Sequence, residues 1–221
     1  MVGAKPNEIL GEICSEVLPE EIPEYGDIAG RMIELMAESN GIGLAAPQIG
    51  LSKRVIVFYG EIDEEHHNEP VVMINPEVIE ASGELVVGIE SCLSVPIFRI
   101  PVQRSSYVCV SALDSNGVRF DYRADDYVAR CILHEIDHLN GITLLDHLND
   151  DIEDKFVVIP KSVVGLEESD DDEFPFLCIE MEDKDQAMKL YDELEDMQES
   201  IASIRQSIQE LDCQDQRTEP G

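Results

Sequence analysis

The segment HEIDH at residues 134–138 decides the fold and the chemistry expected of this chain. Two histidines four residues apart lie on one face of a helix, where both imidazoles can bind one metal ion. The surrounding sequence predicts a helix over 127–140, because apolar residues recur at helical spacing and Gly141 follows as a stop. Glu135 lies between the histidines, where its carboxylate can exchange a proton with an attacking water molecule. The pattern therefore predicts a metal-dependent hydrolase.

A third metal ligand has to come from elsewhere in the sequence. The candidates are Cys92, His147 and the pair His66 and His67. The pair lies in a polar stretch typical of an exposed loop, whereas His147 follows the helix closely enough to remain a candidate. A thiolate is a strong ligand for zinc or iron, which favours Cys92. The alternative without a metal is that the two helix histidines pair with nearby acids on a solvated surface.

A second unusual segment is GIGLAAPQIG at residues 41–50, which consists mainly of small residues. Small side chains let the backbone approach a ligand closely. Gln48 has the only side chain in the segment that can donate a hydrogen bond. Taken alone, the segment is equally consistent with a turn between a helix and a strand.

Three segments follow one another along the chain: GIGLAAPQIG, then ESCLS at residues 90–94, then HEIDH. They closely resemble the three signature motifs of the peptide deformylases, and the resemblance covers about residues 8–160. It implies a hydrolase that removes the N-terminal formyl group from formyl-methionine of newly made polypeptides and releases formate.

The resemblance also implies a role for each matching residue. One divalent metal ion would be bound by Cys92, His134 and His138. Ferrous iron is the family expectation, while the same ligands accept zinc, nickel or cobalt. Glu135 would act as general acid and base, and the Gln48 amide and the Leu93 backbone N–H would stabilise the oxyanion.

The implied substrate site lies beside these groups. Gly43 would contact the bound N-formylmethionyl peptide. The methionine side chain would enter an apolar pocket lined partly by the metal-bearing helix, through Tyr127, Arg130 and Cys131.

The chain departs from the family pattern at Ser91, because the family usually has Glu-Gly-Cys in the second motif. If this position requires a positive φ, Ser91 would strain the strand that presents Cys92. The alternative function is then a catalytically weak, deformylase-like peptide-binding or assembly module. A zinc endopeptidase is a further alternative, but it would leave residues 41–50 and Cys92 without a role.

The composition is extremely acidic, with 48 acidic and 15 basic residues and a formal net charge of -33. Such a surface excludes nucleic acid as a direct partner. The acids are spread along the chain, which suggests either a protein kept soluble in high salt or ordinary acidic drift. At low salt, the charge predicts a bias toward basic peptides that added salt abolishes.

The expected location is the cytoplasm, near the ribosome. No apolar stretch is long enough to span a membrane, and the first residues have neither a signal nor a transit pattern. Ribosome proximity follows from the family resemblance, because the implied substrates are newly made chains. The six cysteines are widely spaced and typical of single thiols.

The fold predicted for residues 1–164 is α+β. Apolar or alternating runs separated by turn residues predict strands at 54–59, 71–75, 83–87, 107–113 and 118–123. With a helix near 25–39, they would form antiparallel sheets packed around a central metal-binding helix.

Residues 165–221 form a C-terminal extension with an acidic linker and an amphipathic helix, and residues 174–179 predict a short strand or docking segment. Apolar residues spaced alternately four and three apart predict a three-heptad coiled-coil seam at Leu190, Leu194, Met197, Ile201, Ile204, Ile208 and Leu211. This seam indicates a homo-oligomer or a docked partner. The alternative is a helix that packs on its own domain.

Overall fold

The computed structural model describes residues 8–60, 69–149, 155–164, 176–196 and 198. Within them the fold is mixed α and β, with antiparallel sheets and few helices. The strands are, in chain order, β1 Gly43–Ala45, β2 Val55–Tyr59, β3 Pro70–Ala81, β4 Leu85–Cys92, β5 Val95–Ser105, β6 Tyr107–Leu113, β7 Arg119–Asp125, β8 Phe156–Pro160 and β9 Phe176–Glu180.

These strands form two sheets. The first has the order β1-β2-β3-β6-β7 and the second the order β4-β5-β8-β9, with all named neighbours antiparallel. The longer helices are α1 (Ile22–Glu38), α2 (Asp126–Leu139) and α3 (184–196). None of the described helices is both long and apolar enough to cross a membrane.

The first sheet lies between α1 and α2. Successive residues of a strand face opposite sides of a sheet, so one strand can pack against both helices. In β2, Ile56 and Phe58 pack in the cluster that includes α2. Val55 and Val57 pack in the other cluster, with Met32 of α1. All four β2 residues are fully buried. The metal-motif helix is thus fixed against one face of this sheet.

Helix α2 closely matches the helix predicted at 127–140, and it also contacts β5 of the second sheet. It ends because Gly141 adopts φ 74, a left-handed conformation that favours glycine. A Cβ atom at this position would also lie 2.8 Å from the carbonyl oxygen of Gly11. The helix stop predicted from the sequence is therefore confirmed at Gly141.

The second sheet presents Cys92 at the end of β4. This strand pairs with β5 along its whole length, and a register shift occurs between Ser91 and Cys92. The sheet packs on a short 3-10 helix, Leu144–Asn149, and on α3. The ring of Tyr191 in α3 meets Phe98 of β5 edge to face, at 5.4 Å between centroids.

The described part of the C-terminal extension belongs to this second sheet. Strand β9 pairs with β8 from Phe156↔Glu180 to Pro160↔Phe176, at the position where the sequence predicted a short strand. Helix α3 buries Leu194, which is 5% exposed in the core of its own chain. Of the predicted seam, Leu190 and Leu194 are described, and the other five residues lie outside the described part of the chain, as does the acidic linker.

Candidate metal centre and catalytic cavity

Three buried side chains converge between the two sheets. Cys92 from β4 and His134 and His138 from α2 each offer one ligand atom, and these atoms lie within 4.8 Å of one another. The Cys92 Sγ atom is 3.2 Å from His138 Nε2. Among the described residues, this is the one group of three such side chains close enough to hold a metal ion. His66 and His67 lie outside the described residues.

The turn after β4 and the small-residue segment together position the Cys92 thiol. The backbone N–H of Ser94 donates to Cys92 Sγ at 3.4 Å. Gln48 lies in a short 3-10 helix, Ala46–Ile49, and its Nε2 donates to Ser94 Oγ at 3.1 Å and to Cys92 Sγ at 3.5 Å. Its Oε1 accepts from the Ala45 N–H at 2.8 Å, which fixes the orientation of the amide.

Glu90 fixes the orientation of the His134 ring through a hydrogen bond at Nδ1. Its Oε2 lies 2.9 Å from His134 Nδ1, and its two oxygens also accept from Nε and Nη2 of Arg104, each at 2.9 Å. Burial opposes ionisation, but the hydrogen bonds from Arg104 and His134 hold the pKa of Glu90 far below its usual range. A carboxylate can only accept, so Nδ1 of His134 carries the hydrogen and its Nε2 is left free for a metal.

Glu90 belongs to a larger network of ion pairs and hydrogen bonds that the sequence did not predict. Arg104 also contacts Asp137, whose Oδ2 lies 2.8 Å from Nε2 of His147. His147, a candidate third ligand from its spacing, therefore pairs with Asp137. The partners of Arg104 lie on another strand and on α2, so no local sequence pattern links them. The only hint of this network in the sequence is that Glu90, Arg104 and Asp137 are charged residues within segments that also carry apolar side chains.

The three side chains fit a metal of intermediate softness, because they combine one thiolate with two imidazoles. Burial would raise the pKa of Cys92, but His138 and His134 beside it hold this pKa well below that of an ordinary thiol. The buried Nδ1 atom of His138 has no hydrogen-bond partner among the described residues. His138 and Cys92 also line a second, mainly apolar cavity of about 220 Å³. Lys184 and Met188 of α3 form another part of its wall.

Glu135 is 4% exposed, and burial raises the pKa of its carboxyl to about 7. Its Oε2 atom has no hydrogen-bond partner among the described residues. A Cβ atom at Gly43 would lie 2.4 Å from Glu135 Oε1 and 2.8 Å from Cys131 Sγ. Only glycine at position 43 lets the β1 backbone approach this carboxylate so closely.

One cavity of about 360 Å³ brings the predicted site residues together. Its lining includes nine of them: Gly43, Gln48, Cys92, Leu93, Tyr127, Arg130, Cys131, His134 and Glu135. Tyr127 is half exposed at the wall, and burial raises the pKa of the Cys131 thiol well above its ordinary value, so this thiol stays neutral. His138, the tenth, reaches the site through its contact with Cys92.

Arg130 also has a structural role. Its Nη1 donates to Glu90 Oε1 and to the carbonyl of Val102, both at 2.8 Å, and its Nη2 donates to the carbonyl of Val86 at 2.7 Å. The guanidinium therefore joins α2 to the second sheet, while its side chain still borders the cavity.

Ser91 fits the strand without a left-handed backbone. In the described part of the chain, positive φ at a non-glycine residue occurs at Asn40, Asn75 and Asp126. The strain expected if this position required a positive φ is therefore absent at Ser91. Its side chain is exposed and borders the 360 Å³ cavity.

Comparisons with known proteins agree with this geometry. A family model described as polypeptide deformylase matches residues 2–153. The peptide deformylase of Hydrogenovibrio crunogenus is 39% identical over 145 residues, which are 65% of this chain and 82% of that protein. The peptide deformylase of Dictyoglomus thermophilum is 44% identical over 131 residues, which are 59% and 79% of the two chains.

Solved structures show the same similarity. A class I type b peptide deformylase from Acinetobacter baumannii with Met-Ala-Ser bound has a TM-score of 0.62 and 36% identity, over 66% of this chain and 96% of that one. A peptide deformylase from Synechococcus elongatus in complex with actinonin has a TM-score of 0.61 and 36% identity, over 66% and 79%. The chain therefore belongs to the polypeptide deformylase family and is a hydrolase that removes the N-terminal formyl group from polypeptides.

Proposed function

We propose that the 360 Å³ cavity is the deformylase active site and that three residues hold its single metal ion: Cys92, His134 and His138. The observation that carries the proposal is the convergence of three buried ligand atoms beside the buried carboxylate of Glu135. The hydrogen bond from His134 to Glu90 supports it, because metal-binding histidines usually donate their second N–H to a carboxylate.

Glu135 is the proposed general acid and base. When bound, the metal acts as a Lewis acid that polarises the formyl carbonyl and acidifies water. Glu135 takes a proton from the attacking water and returns it to the departing amine, which leaves as a free N-terminus while formate is released. A carboxyl whose pKa lies near 7 is suited to both transfers at neutral pH.

Gln48 and Leu93 are the proposed donors to the oxyanion. Charge collects on the formyl oxygen in the transition state, where the Gln48 Nε2 and the Leu93 backbone N–H would stabilise it. The Gln48 amide is held by Ala45 and Ser94, so little energy is spent on orienting it during the reaction.

The proposed substrate is an N-formylmethionyl peptide. Gly43 gives the peptide backbone access to Glu135, and the methionine side chain enters the part of the cavity bordered by Tyr127, Arg130 and Cys131. The description of the Acinetobacter baumannii structure as bound to Met-Ala-Ser supports a peptide with an N-terminal methionine.

Ferrous iron is the proposed native metal. A mixed thiolate and imidazole set binds iron, zinc, nickel and cobalt, so donor type does not choose among them. Metal analysis of protein purified without oxygen tests this proposal, since iron would then be found in stoichiometric amount and lost after exposure to air.

We propose that residues 1–164 form the catalytic domain around a central metal-binding helix, and that residues 165–221 form an extension that docks on it. The buried face of α3 supports docking. The extension would also carry a coiled-coil seam for a homo-oligomer, formed by the seam residues that follow Leu194, because Leu194 itself is buried in the core of its own chain. Ile201→Asp tests this: loss of an oligomer with activity retained supports the seam, whereas unfolding of the domain supports packing within one chain.

We propose a cytoplasmic enzyme that meets its substrates near the ribosome, without direct contact to nucleic acid or membrane. The net charge of -33 supports the lack of nucleic-acid binding. The same charge suggests adaptation to high salt. Activity and solubility measured from low to molar salt would decide this, because a salt-adapted enzyme gains both as salt is added.

The decisive experiment measures formate release from a formyl-methionyl tripeptide by protein purified without oxygen and loaded with iron or zinc. Glu135→Ala should keep the metal and lose turnover. Cys92→Ala should lose the metal. Turnover that persists in Glu135→Ala would contradict the proposed site, and metal retention in Cys92→Ala would place the ligands elsewhere.

A further inference from the structure

Arg99 of β5 is an unusual cation at the catalytic cavity. It pairs with Ser91 on one side and Val158 on the other, and it borders the cavity beside Ser91. In a chain with 48 acids, no carboxylate of a described residue lies within ion-pair distance of its guanidinium. Arg130, which borders the same cavity, is by contrast bound to Glu90.

An aromatic ring of the C-terminal extension holds this guanidinium. Arg99 Cζ lies 5.0 Å from the ring centroid of Phe176, the first residue of β9. This strand follows the region matched by the family model, which ends at residue 153. The extension thus contributes directly to the wall around the cavity.

The contact with an aromatic ring uses no carboxylate or carbonyl oxygen, so the N–H groups of the guanidinium remain available to other hydrogen-bond partners. Those N–H groups match the two oxygens of a carboxylate. Arg99 is partly buried, so its position is fixed more firmly than that of a fully solvated arginine.

We propose that Arg99, held by Phe176, is a specificity-determining residue that selects formylated peptides with an acidic side chain in the first two positions after formyl-methionine. The inference rests on the active site proposed above. Arg99 is the charged group on this cavity that can meet a substrate carboxylate without first losing a protein partner, within the part of the chain that the structure describes.

The overall charge of the protein acts in the opposite direction but over a longer range. A net charge of -33 repels acidic peptides at low salt. At 0.15 M salt this repulsion is screened over roughly 8 Å, whereas a contact between guanidinium and carboxylate within the cavity is screened less. The local preference should therefore emerge as salt is raised to about this level.

The test compares kcat/KM for formyl-Met-Glu-Ala and formyl-Met-Ala-Glu amides with their glutamine counterparts, using iron-loaded full-length enzyme at 0.15 M salt. We expect a preference of about three- to tenfold for one glutamate peptide, expressed mainly in KM. Arg99→Gln should abolish it without reducing turnover of the glutamine peptides more than about twofold. Arg99→Lys should retain part of it, because the charge remains but the planar fork is lost.

Two further variants separate the local contact from general electrostatics. Arg31→Gln removes one exposed positive charge on α1 and should leave the preference intact. Phe176→Leu keeps an apolar side chain but removes the aromatic face, and should reduce the preference by at least about twofold. Equal rates for glutamate and glutamine peptides in the wild type, or an undiminished preference in Arg99→Gln, would overturn the inference. Failure of the active-site proposal would differ, since all four peptides would then be turned over in Glu135→Ala.

Discussion

The carboxylate of Glu90 accepts a hydrogen bond from His134, with 2.9 Å between Oε2 and Nδ1. This contact fixes the ring and its tautomer, so that Nε2 is directed to the proposed metal. Glu90→Gln should weaken metal binding by about 10- to 100-fold, because an amide is a poorer acceptor and removes one of the two charge partners of Arg104. Competition with a metal-binding dye measures the change. Glu77→Gln, an exposed acid on β3, is the control, and equal affinities for both variants would contradict this role.

Gly43→Ala should disable the proposed general base without removing the metal. The new methyl group would lie 2.4 Å from Glu135 Oε1, so the carboxylate would have to move. We expect kcat to fall by about 100-fold or more, because proton transfer depends on position. Gly30→Ala is a matched control, since a Cβ atom there has no neighbour within 4 Å and should increase helix stability by about 0.5–1 kcal/mol. Normal turnover in Gly43→Ala would show that Glu135 tolerates displacement.

Ser91→Gly should change activity by less than about threefold. The absence of positive φ at Ser91 means that glycine would relieve no strain. A glycine within β4 should instead lower the free energy of unfolding by about 0.5–1 kcal/mol. Urea unfolding and formate release measure the two effects. A tenfold gain in kcat/KM would revive the idea that serine impairs this family member.

The contact between Asp146 and Lys184 should make the docking of α3 depend on pH. Burial raises the pKa of Asp146, but hydrogen bonds from Lys184 and from Thr143 outweigh it and lower that pKa below its ordinary value. Its contribution to stability is therefore present above the unfolded pKa near 3.9, and is lost as pH falls through the folded value.

Asp146→Asn should consequently lower the free energy of unfolding by about 0.5–1 kcal/mol at pH 7, allowing for solvent screening. The difference from wild type should shrink as pH falls below the unfolded pKa near 3.9, and vanish once pH lies below the lowered pKa of the folded protein. Urea titrations at several pH values measure it. A difference that does not shrink as pH falls would assign the effect to packing instead of charge.

Much of the fold could be predicted where the pattern is local. Helix α2, its stop at Gly141 and the strands near 54–59 and 107–113 follow from spacing that depends on adjacent residues. Strand β5 could not be predicted, because Val95–Ser105 contains two prolines and two arginines. It is stabilised by pairing with β4 and β8 and by packing in the core, none of which is visible in a single segment.

The same distinction applies to the site. Motif residues such as His134 and Cys92 were predictable from their chemistry and order. Arg104 was not, because its partners Glu90 and Asp137 are 14 and 33 residues away. A buried ionic network depends on which strands become neighbours, and a sequence pattern records that only after the sheet order is known.

Strand β9 and helix α3 also impose an order on synthesis. Domains usually begin to fold from the N-terminus as the chain is made, at about 5–20 residues per second. About 84 residues separate Cys92 from Phe176, so the segment that covers the second sheet follows after roughly 4–17 s. Until Tyr191 and Leu194 arrive, the apolar face around Phe98 lacks part of its cover. A newly made molecule of this enzyme thus passes through a period in which that face is available to chaperones or to aggregation.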